Sequence, residues 1–325
     1  MPMSDFLNLL NSMERLQIAW GQAERQPWDE LHAQAAGSLQ QSWLYGLAMR
    51  AHGVPVLRVT ASNGAQLIGA AQFLGQRLPW LVRTALCSRG PLWHPVAEPA
   101  QRARAIDLMR ATLPMWRPRV AIFTPEVDVD QASRQSHACA ALSRVVTGYS
   151  TVMVELRRDA DVLRRSLDGN WRNRLVAAER GGLEVRNESD DARAHQQVVQ
   201  AEWEQRRHRG YFSLPREFVA AWRDAAAPAG DATLLLSAWS SGERVAAMLF
   251  LLHGRTATYH LGWTCDTGRR AHAHNLLLWR AFLALKHRGT EVLDLGGVET
   301  VREPGIARFK IGTGGRVRTL VGSYA

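Results

Sequence analysis

Lys310 stands just before the glycine-rich stretch Gly312-Thr313-Gly314-Gly315, and Phe309 precedes it. An ammonium beside residues that lack bulky side chains is a fixed cation that a substrate can approach. A neighbouring aromatic ring would exclude water and strengthen its field. Such a group suits a reaction in which negative charge develops on a substrate oxygen. Asp294 closes an apolar run one residue before Gly296-Gly297, where a carboxylate could take a proton from a nucleophile. Both have ordinary alternatives: lysine on a surface turn is a solvated charge, and aspartate ahead of Gly-Gly commonly satisfies the backbone donors of the turn. Arg207 and Arg308 carry guanidinium forks, which pair bidentately with phosphate oxygens. Arg207 lies in the run Arg206-Arg207-His208-Arg209, where cations also favour the C-terminal end of a helix.

The elements that must position these groups fall into two similar series. In the first half, Ser42 is the expected N-cap of a helix through Arg50 that stops at Gly53. Two strand-like runs, Val54 to Thr60 and Gln66 to Leu74, flank Ser62-Asn63-Gly64, a hairpin signal. A further strand over Trp80 to Cys87, a helix opened by Pro99 and running to about Met115, and a strand from Val120 to Thr124 follow. In the second half, Asp159 to Arg180 reads as one helix, Leu183 to Asn187 as a strand, and Asp190 to Arg209 and Arg216 to Ala226 as helices. Strands at Ala232 to Trp239, Arg244 to Leu252 and Thr256 to Trp263 precede a helix from His272 to His287 and a strand at Glu291 to Leu295. The order helix, antiparallel strands, helix, strand occurs twice, so a duplicated α+β architecture is expected, with a boundary near Tyr149 to Leu156 and subdomains at 1–150 and 151–325.

Composition narrows the function classes. The 325 residues are 46% hydrophobic and 22% charged, enough apolar material for one large or two medium cores. The longest uninterrupted apolar run, Val245 to Leu252, is far short of the roughly 20 residues of a membrane-spanning helix and fits a buried strand. The N-terminal residues lack a secretory pattern, so a cytoplasmic chain is expected. Cys87, Cys139 and Cys265 lie far apart and no Cys/His group has zinc spacing, so all three are expected as buried thiols, with no metal. His260, His272 and His274, and Trp203, Trp222, Trp239, Trp263 and Trp279, are expected to be structural. The net charge of +10 predicts attraction to RNA, anionic phospholipid or phosphorylated small molecules, or reflects an Arg-rich composition with no ligand behind it.

The C-terminal sequence Val292-Leu293-Asp294-Leu295-Gly296-Gly297, then Gly305-Ile306-Ala307-Arg308-Phe309-Lys310 and the paired Gly314-Gly315, resembles the signature of FemABX-type aminoacyl transferases. Gln41-Ser42-Trp43, Arg89-Gly90-Pro91 and the stretch Asn173 to Val185 are similar to shorter family motifs in the same order. The resemblance implies two tandem GNAT-like subdomains, each around a mixed sheet. It also implies that Lys310 serves the transfer and that Arg207, Tyr211 and Tyr259 contact substrate; on their chemistry Arg308 and Phe309 are expected to contact substrate as well, and Asp294 is the candidate base. The lysine that the family often carries soon after Gln-Ser has no counterpart, Arg50 being the nearest cation.

The implied activity is transfer of an amino acid from aminoacyl-tRNA to an amine of a muropeptide or lipid-linked peptidoglycan precursor, with no bound cofactor. Peripheral contact with the anionic inner face of the plasma membrane is expected from the basic surface. The junction Thr267-Gly268-Arg269-Arg270-Ala271-His272-Ala273 lacks the glycine spacing of an acyl-CoA pyrophosphate loop. Two alternatives stand beside this reading: an acyl-CoA-dependent GNAT-type N-acyltransferase, and a non-catalytic basic protein that binds membrane or RNA.

Overall fold

In a computed structural model of the chain, residues 16–77, 83–132, 139, 141–207, 214–227, 230 and 232–325 are described. Trp80 to Val82, at the start of the expected third strand, and His208, Arg209 and Tyr211 lie outside them. The chain divides into two compact units: the first holds the described residues up to Tyr149 together with Thr319–Ala325, and the second is Ser150–Arg318.

The first unit is built on the strands β1 (Leu16–Trp20), β2 (Val56–Asn63), β3 (Gln66–Arg77), β4 (Arg83–Cys87), β5 (Leu92–Trp93), β6 (Arg119–Phe123) and β7 (Arg144–Val146). Its sheet runs in the order β1, β2, β3, β4, β6, then Ser323–Tyr324, then β7. Helices α1 (Arg25–Gln34) and α2 (Trp43–Ala51) belong to one side, where Trp28 and Leu31 pack with Ala70 and Leu92. Helix α3 (Pro99–Thr112) covers the opposite core, where Ala105, Ile106 and Met109 meet Val59, Phe73, Ala85 and Phe123. Ser42 caps α2 as expected, its hydroxyl accepting from the Tyr45 N–H at 3.2 Å. Cys87 and Cys139 are buried, but Cys265 is half-exposed, because the turn after its strand leaves it at the edge of the second core.

The second unit has the strands β8 (Ser150–Glu155), β9 (Glu184–Asn187), β10 (Thr233–Ser240), β11 (Glu243–His253), β12 (Thr256–Thr264), β13 (Val292–Gly297) and β14 (Arg316–Thr319), in the sheet order β14, β8, β13, β12, β11, β10, β9. β15 is the Ser323–Tyr324 strand of the first unit. The apolar run of β11 is explained by coverage on both faces. Ala246, Met248 and Phe250 join one core, whereas Ala247 and Leu249 join another.

The helices of the second unit are α4 (Ala160–Ser166), α5 (Gly169–Arg180), α6 (Ala192–Arg207), α7 (Phe218–Ala226), α8 (Asp266–Arg270), α9 (Ala273–His287) and α10 (Pro304–Ile311). The single helix expected over Asp159 to Arg180 is thus two. Asp168 interrupts it as the N-cap of α5, its Oδ1 accepting from the Asn170 and Trp171 N–H groups at 2.9 and 3.3 Å. Asp168→Ala is therefore expected to lower stability by about 1 kcal/mol in urea unfolding. The stretch that leads to Lys310, to which the sequence assigned no element, is the helix α10, with Pro304 in its first turn, so Lys310 does not stand on a surface turn.

Candidate active site

β12 and β13 run parallel and pair only where Thr256–Thr258 face Val292–Asp294. Both strands are deformed just beyond that point. On β12 the register against β11 slips at Leu249/Phe250, so that His260 is the extra residue of a bulge. On β13 the register against β8 slips after Asp294, and Gly296 adopts φ +77°, a left-handed conformation that favours glycine. The strands splay, and a cavity of about 610 Å³ opens between them. In the first unit the corresponding parallel pair, β4 and β6, stays matched through all of Arg83–Cys87 against Arg119–Phe123.

Lys310 enters this cavity from the last turn of α10. It is 9% exposed, and its Nζ donates to the Gly297 carbonyl at 2.8 Å. A Cβ on Gly296 would lie 3.7 Å from Nζ, an ordinary contact, so it is the left-handed backbone and not space that favours glycine there. Burial pushes its pKa below the ordinary lysine value, opposed by the charges of Asp294 and Glu303. Trp171 holds α10 in place: its indole N–H donates to the Phe309 carbonyl at 3.0 Å and its ring lies 5.8 Å from the Phe309 ring. The Phe309 ring also faces His274, at 6.2 Å.

The rest of the lining is mixed in charge. Glu202 and Gln205 reach it from α6, with Arg174, Tyr259, His260, Arg269 and His274. Glu202 is 8% exposed, and burial raises its pKa, opposed by Arg206, whose Nε is 3.9 Å away. Burial pushes His260 and His274 down to about 4, so both rings are neutral near pH 7. The His274 Nε2–H donates to the Trp263 carbonyl at 3.0 Å. Gly262 makes space for Tyr259, whose hydroxyl would collide with a Cβ there at 2.2 Å.

Residues 164–310 match the family described as "Acetyltransferase (GNAT) domain". Among solved structures, FemX aligns with a TM-score of 0.78 at 13% identity, covering 94% of this chain and 96% of FemX. L-PGS from Bacillus licheniformis aligns at 0.57 and 13% identity, covering 93% of this chain and 91% of that one. A tandem GNAT protein from the clavulanic acid biosynthesis pathway aligns at 0.51 and 14%, covering 94% and 97%. The fold is the tandem GNAT fold of FemX. No curated protein matches the sequence. The expectation of two tandem GNAT-like subdomains with mixed sheets is met, and the FemABX-type resemblance holds at the level of fold.

Within the second GNAT unit the structure gathers three of the singled-out residues, Lys310, Phe309 and Tyr259, around one cavity, with the Lys310 Nζ 5.9 Å from the Tyr259 ring centre. Asp294 is 2% exposed and is not in the cavity lining. Its Oδ1 accepts from the Thr151 hydroxyl at 2.6 Å and the Gly296 N–H at 2.8 Å. Arg308 faces an adjoining cavity of about 590 Å³ that shares Arg174, Gly305 and Phe309 with the first. Arg207 is exposed and stacks over Trp203, its guanidinium 4.7 Å from the ring centre, whereas Arg206 is the buried arginine of the pair. Tyr211 lies outside the described residues.

The sequence reading passed over Glu202 and assigned His260 and His274 to structure alone. For Glu202 a signal was present: Val198, Glu202 and Arg206 recur every fourth residue, one buried stripe of α6. For the histidines there was none, because the bulge that seats His260 beside the cavity arises from the pairing of β11 and β12.

Proposed function

We propose that the protein is an aminoacyltransferase of the GNAT class, which moves an amino acid from aminoacyl-tRNA to an amine of a peptidoglycan precursor. The observation that carries the reading is a buried lysine, Lys310, on the wall of a cavity between two splayed strands. Attack of an amine on the ester carbonyl forms the C–N bond and a tetrahedral oxyanion. The C–O bond then breaks, and the tRNA hydroxyl leaves with a proton. A cation shielded from water lowers the energy of that oxyanion more than it does the neutral ester. Lys310 supplies it. Asp294, its carboxylate occupied by Thr151 and Gly296, acts as a positioning charge behind Lys310, where the sequence suggested a base. The proton of the attacking amine passes to Glu202, the more buried of the two carboxylates that line the cavity, Glu202 and Glu303, and from there to the leaving tRNA hydroxyl. Tyr259 and Phe309 bound the acyl group. Arg308 and Arg207 contact the phosphates of the co-substrates.

The fold of α8 favours a donor other than acyl-CoA. The segment between β12 and α9, where an acyl-CoA enzyme would present open backbone N–H groups, is folded as a short helix, and Gly268 within it packs so closely that a Cβ would meet the Val245 carbonyl at 2.3 Å. The match of residues 164–310 to an acetyltransferase family favours acyl-CoA as the second reading. Mass spectrometry separates them. Cell-wall precursors incubated with pure protein and mixed aminoacyl-tRNA should gain the mass of an amino acid; an acetyl mass, gained only with acetyl-CoA, would replace the first reading with the second. Among the described residues no helix is long and apolar enough to cross a membrane. Salt-sensitive binding to anionic vesicles is expected if the acceptor is lipid-linked.

A further inference from the structure

The first unit holds an unusual pair of cations. Arg58, on β2, is 5% exposed and lines a cavity of about 440 Å³. Its Nε donates to the Gln72 Oε1 and its Nη2 to the Trp43 carbonyl, each at 2.9 Å, and its guanidinium lies 3.4 Å from the centre of the Trp43 ring. These partners are neutral. Among the described residues its Nη1 has no hydrogen bond, and no carboxylate forms an ion pair with Arg58. Asp29, whose charge favours the cation, is half exposed and paired with Arg25 at 3.2 Å. Arg50 lines the same cavity and adds a like charge. Burial and this repulsion push Arg58 down to about 9, a large departure for a guanidinium.

The local structure is built to keep Arg58 in place. A Cβ on Gly46 would strike the Gln72 Oε1 at 2.0 Å and the Arg58 Nη2 at 2.6 Å, so the helix α2 approaches the pair only through a glycine. Gln72 in turn donates to the carbonyls of Gln40 and Ser42. A buried charge held by neutral groups is costly without a counter-charge. The remaining wall is apolar, with Trp20, Val56 and Pro114 among its residues.

We infer that this cavity of the first unit binds a small organic anion, with its phosphate or carboxylate head on Arg58 and Arg50 and its apolar ring against Trp20, Trp43 and Pro114. This site is distinct from the Lys310 cavity, and the inference does not rest on the proposed transfer. Charge-assisted hydrogen bonds to a partly buried guanidinium fork are the strong ones, and a ring on indole faces adds dispersion and area.

The test uses the full chain and follows tryptophan fluorescence and calorimetry with phenyl phosphate, phenylacetate and inorganic phosphate. Saturable, salt-sensitive binding of one of the two ring-bearing anions is expected, and which of them binds more tightly identifies the head group. Arg50→Ala should weaken binding by roughly tenfold or more. Arg58→Met should abolish it; because Arg58 is tied into the fold, Arg50→Ala, at an exposed position, carries the test if that variant fails to fold. Lys310→Ala should leave binding unchanged, which separates this site from the second-unit cavity. Absence of saturable binding, equal affinity for inorganic phosphate, affinity unaffected by Arg50→Ala, or loss in Lys310→Ala would each overturn the inference.

Discussion

Lys310→Ala is expected to lower turnover by about 10²–10³-fold, the size of effect seen when one preorganised oxyanion donor is removed. Substrate KM should move far less, because the ammonium interacts with charge that is absent from the ground state. The pH profile supplies a second check. Burial holds the Lys310 pKa below 10.5, so the cation is lost, and activity with it, as pH rises through a value lower than that of a free lysine. Below that pH the charged form is held against its desolvation cost, and the fold is relieved of this cost as pH rises through the folded value. Lys310→Arg keeps the charge at all accessible pH and should move the alkaline limb upward, whatever it does to the absolute rate. A Lys310→Ala enzyme with unaltered turnover would remove the assignment of the cavity as the reaction site. The non-catalytic alternative is instead favoured by a wild-type protein that shows no turnover and whose binding to membrane or RNA is unchanged in Lys310→Ala.

The second large effect is expected at Glu202. Glu202→Gln keeps the shape and a hydrogen-bonding group beside Arg206 but removes the proton acceptor, and general-base contributions of about 10²–10⁴-fold set the scale. Because burial raises its pKa above 4.5, Glu202 is protonated at a higher pH than an ordinary carboxylate. The acid limb of the wild-type rate should therefore lie above the usual carboxylate range and should vanish in the variant. His260 and His274 do not account for that limb, since they titrate near 4. Asp294→Asn offers the contrast. If Asp294 only positions Lys310, its replacement shifts the alkaline limb downward, through loss of a stabilising negative charge, and leaves the acid limb where it was. An acid limb that disappears in Asp294→Asn and persists in Glu202→Gln would exchange the two roles.

Much of the architecture could be read in advance because its signals are local. Ser42 as N-cap, Pro99 at a helix start and the apolar run of β11 depend on a few neighbouring residues and on burial. The division of α4 from α5 was also signalled, by Asp168-Gly169, but a continuous helical stripe masked it. The candidate site was legible only in part. Lys310 and Phe309 stood out through the glycines that follow them, but the helix that carries them, opened by Pro304, was not anticipated. The choice of Arg207 over Arg206 failed to anticipate which arginine is buried, because adjacent helical residues point about 100° apart and only the phase of the buried stripe decides between them. The splay of β12 and β13 could not be read at all. It depends on register slips against two further strands, from β11 on one side and β8 on the other.

Residues 319–325 belong to the first unit, although the whole second unit precedes them in the chain. Ser323 and Tyr324 fill the gap between β6 and β7, and Val321 and Tyr324 are buried in the first core. During synthesis the ribosome delivers every other strand of that sheet long before this one. Until it arrives, β6 and β7 each present an unpaired edge, a template to which a neighbouring nascent chain can add. The last strand of the second sheet, β14 (Arg316–Thr319), directly precedes β15, so one closing segment completes both sheets. Expression hosts rich in chaperones that shield strand edges should for this reason raise the soluble yield of the full chain.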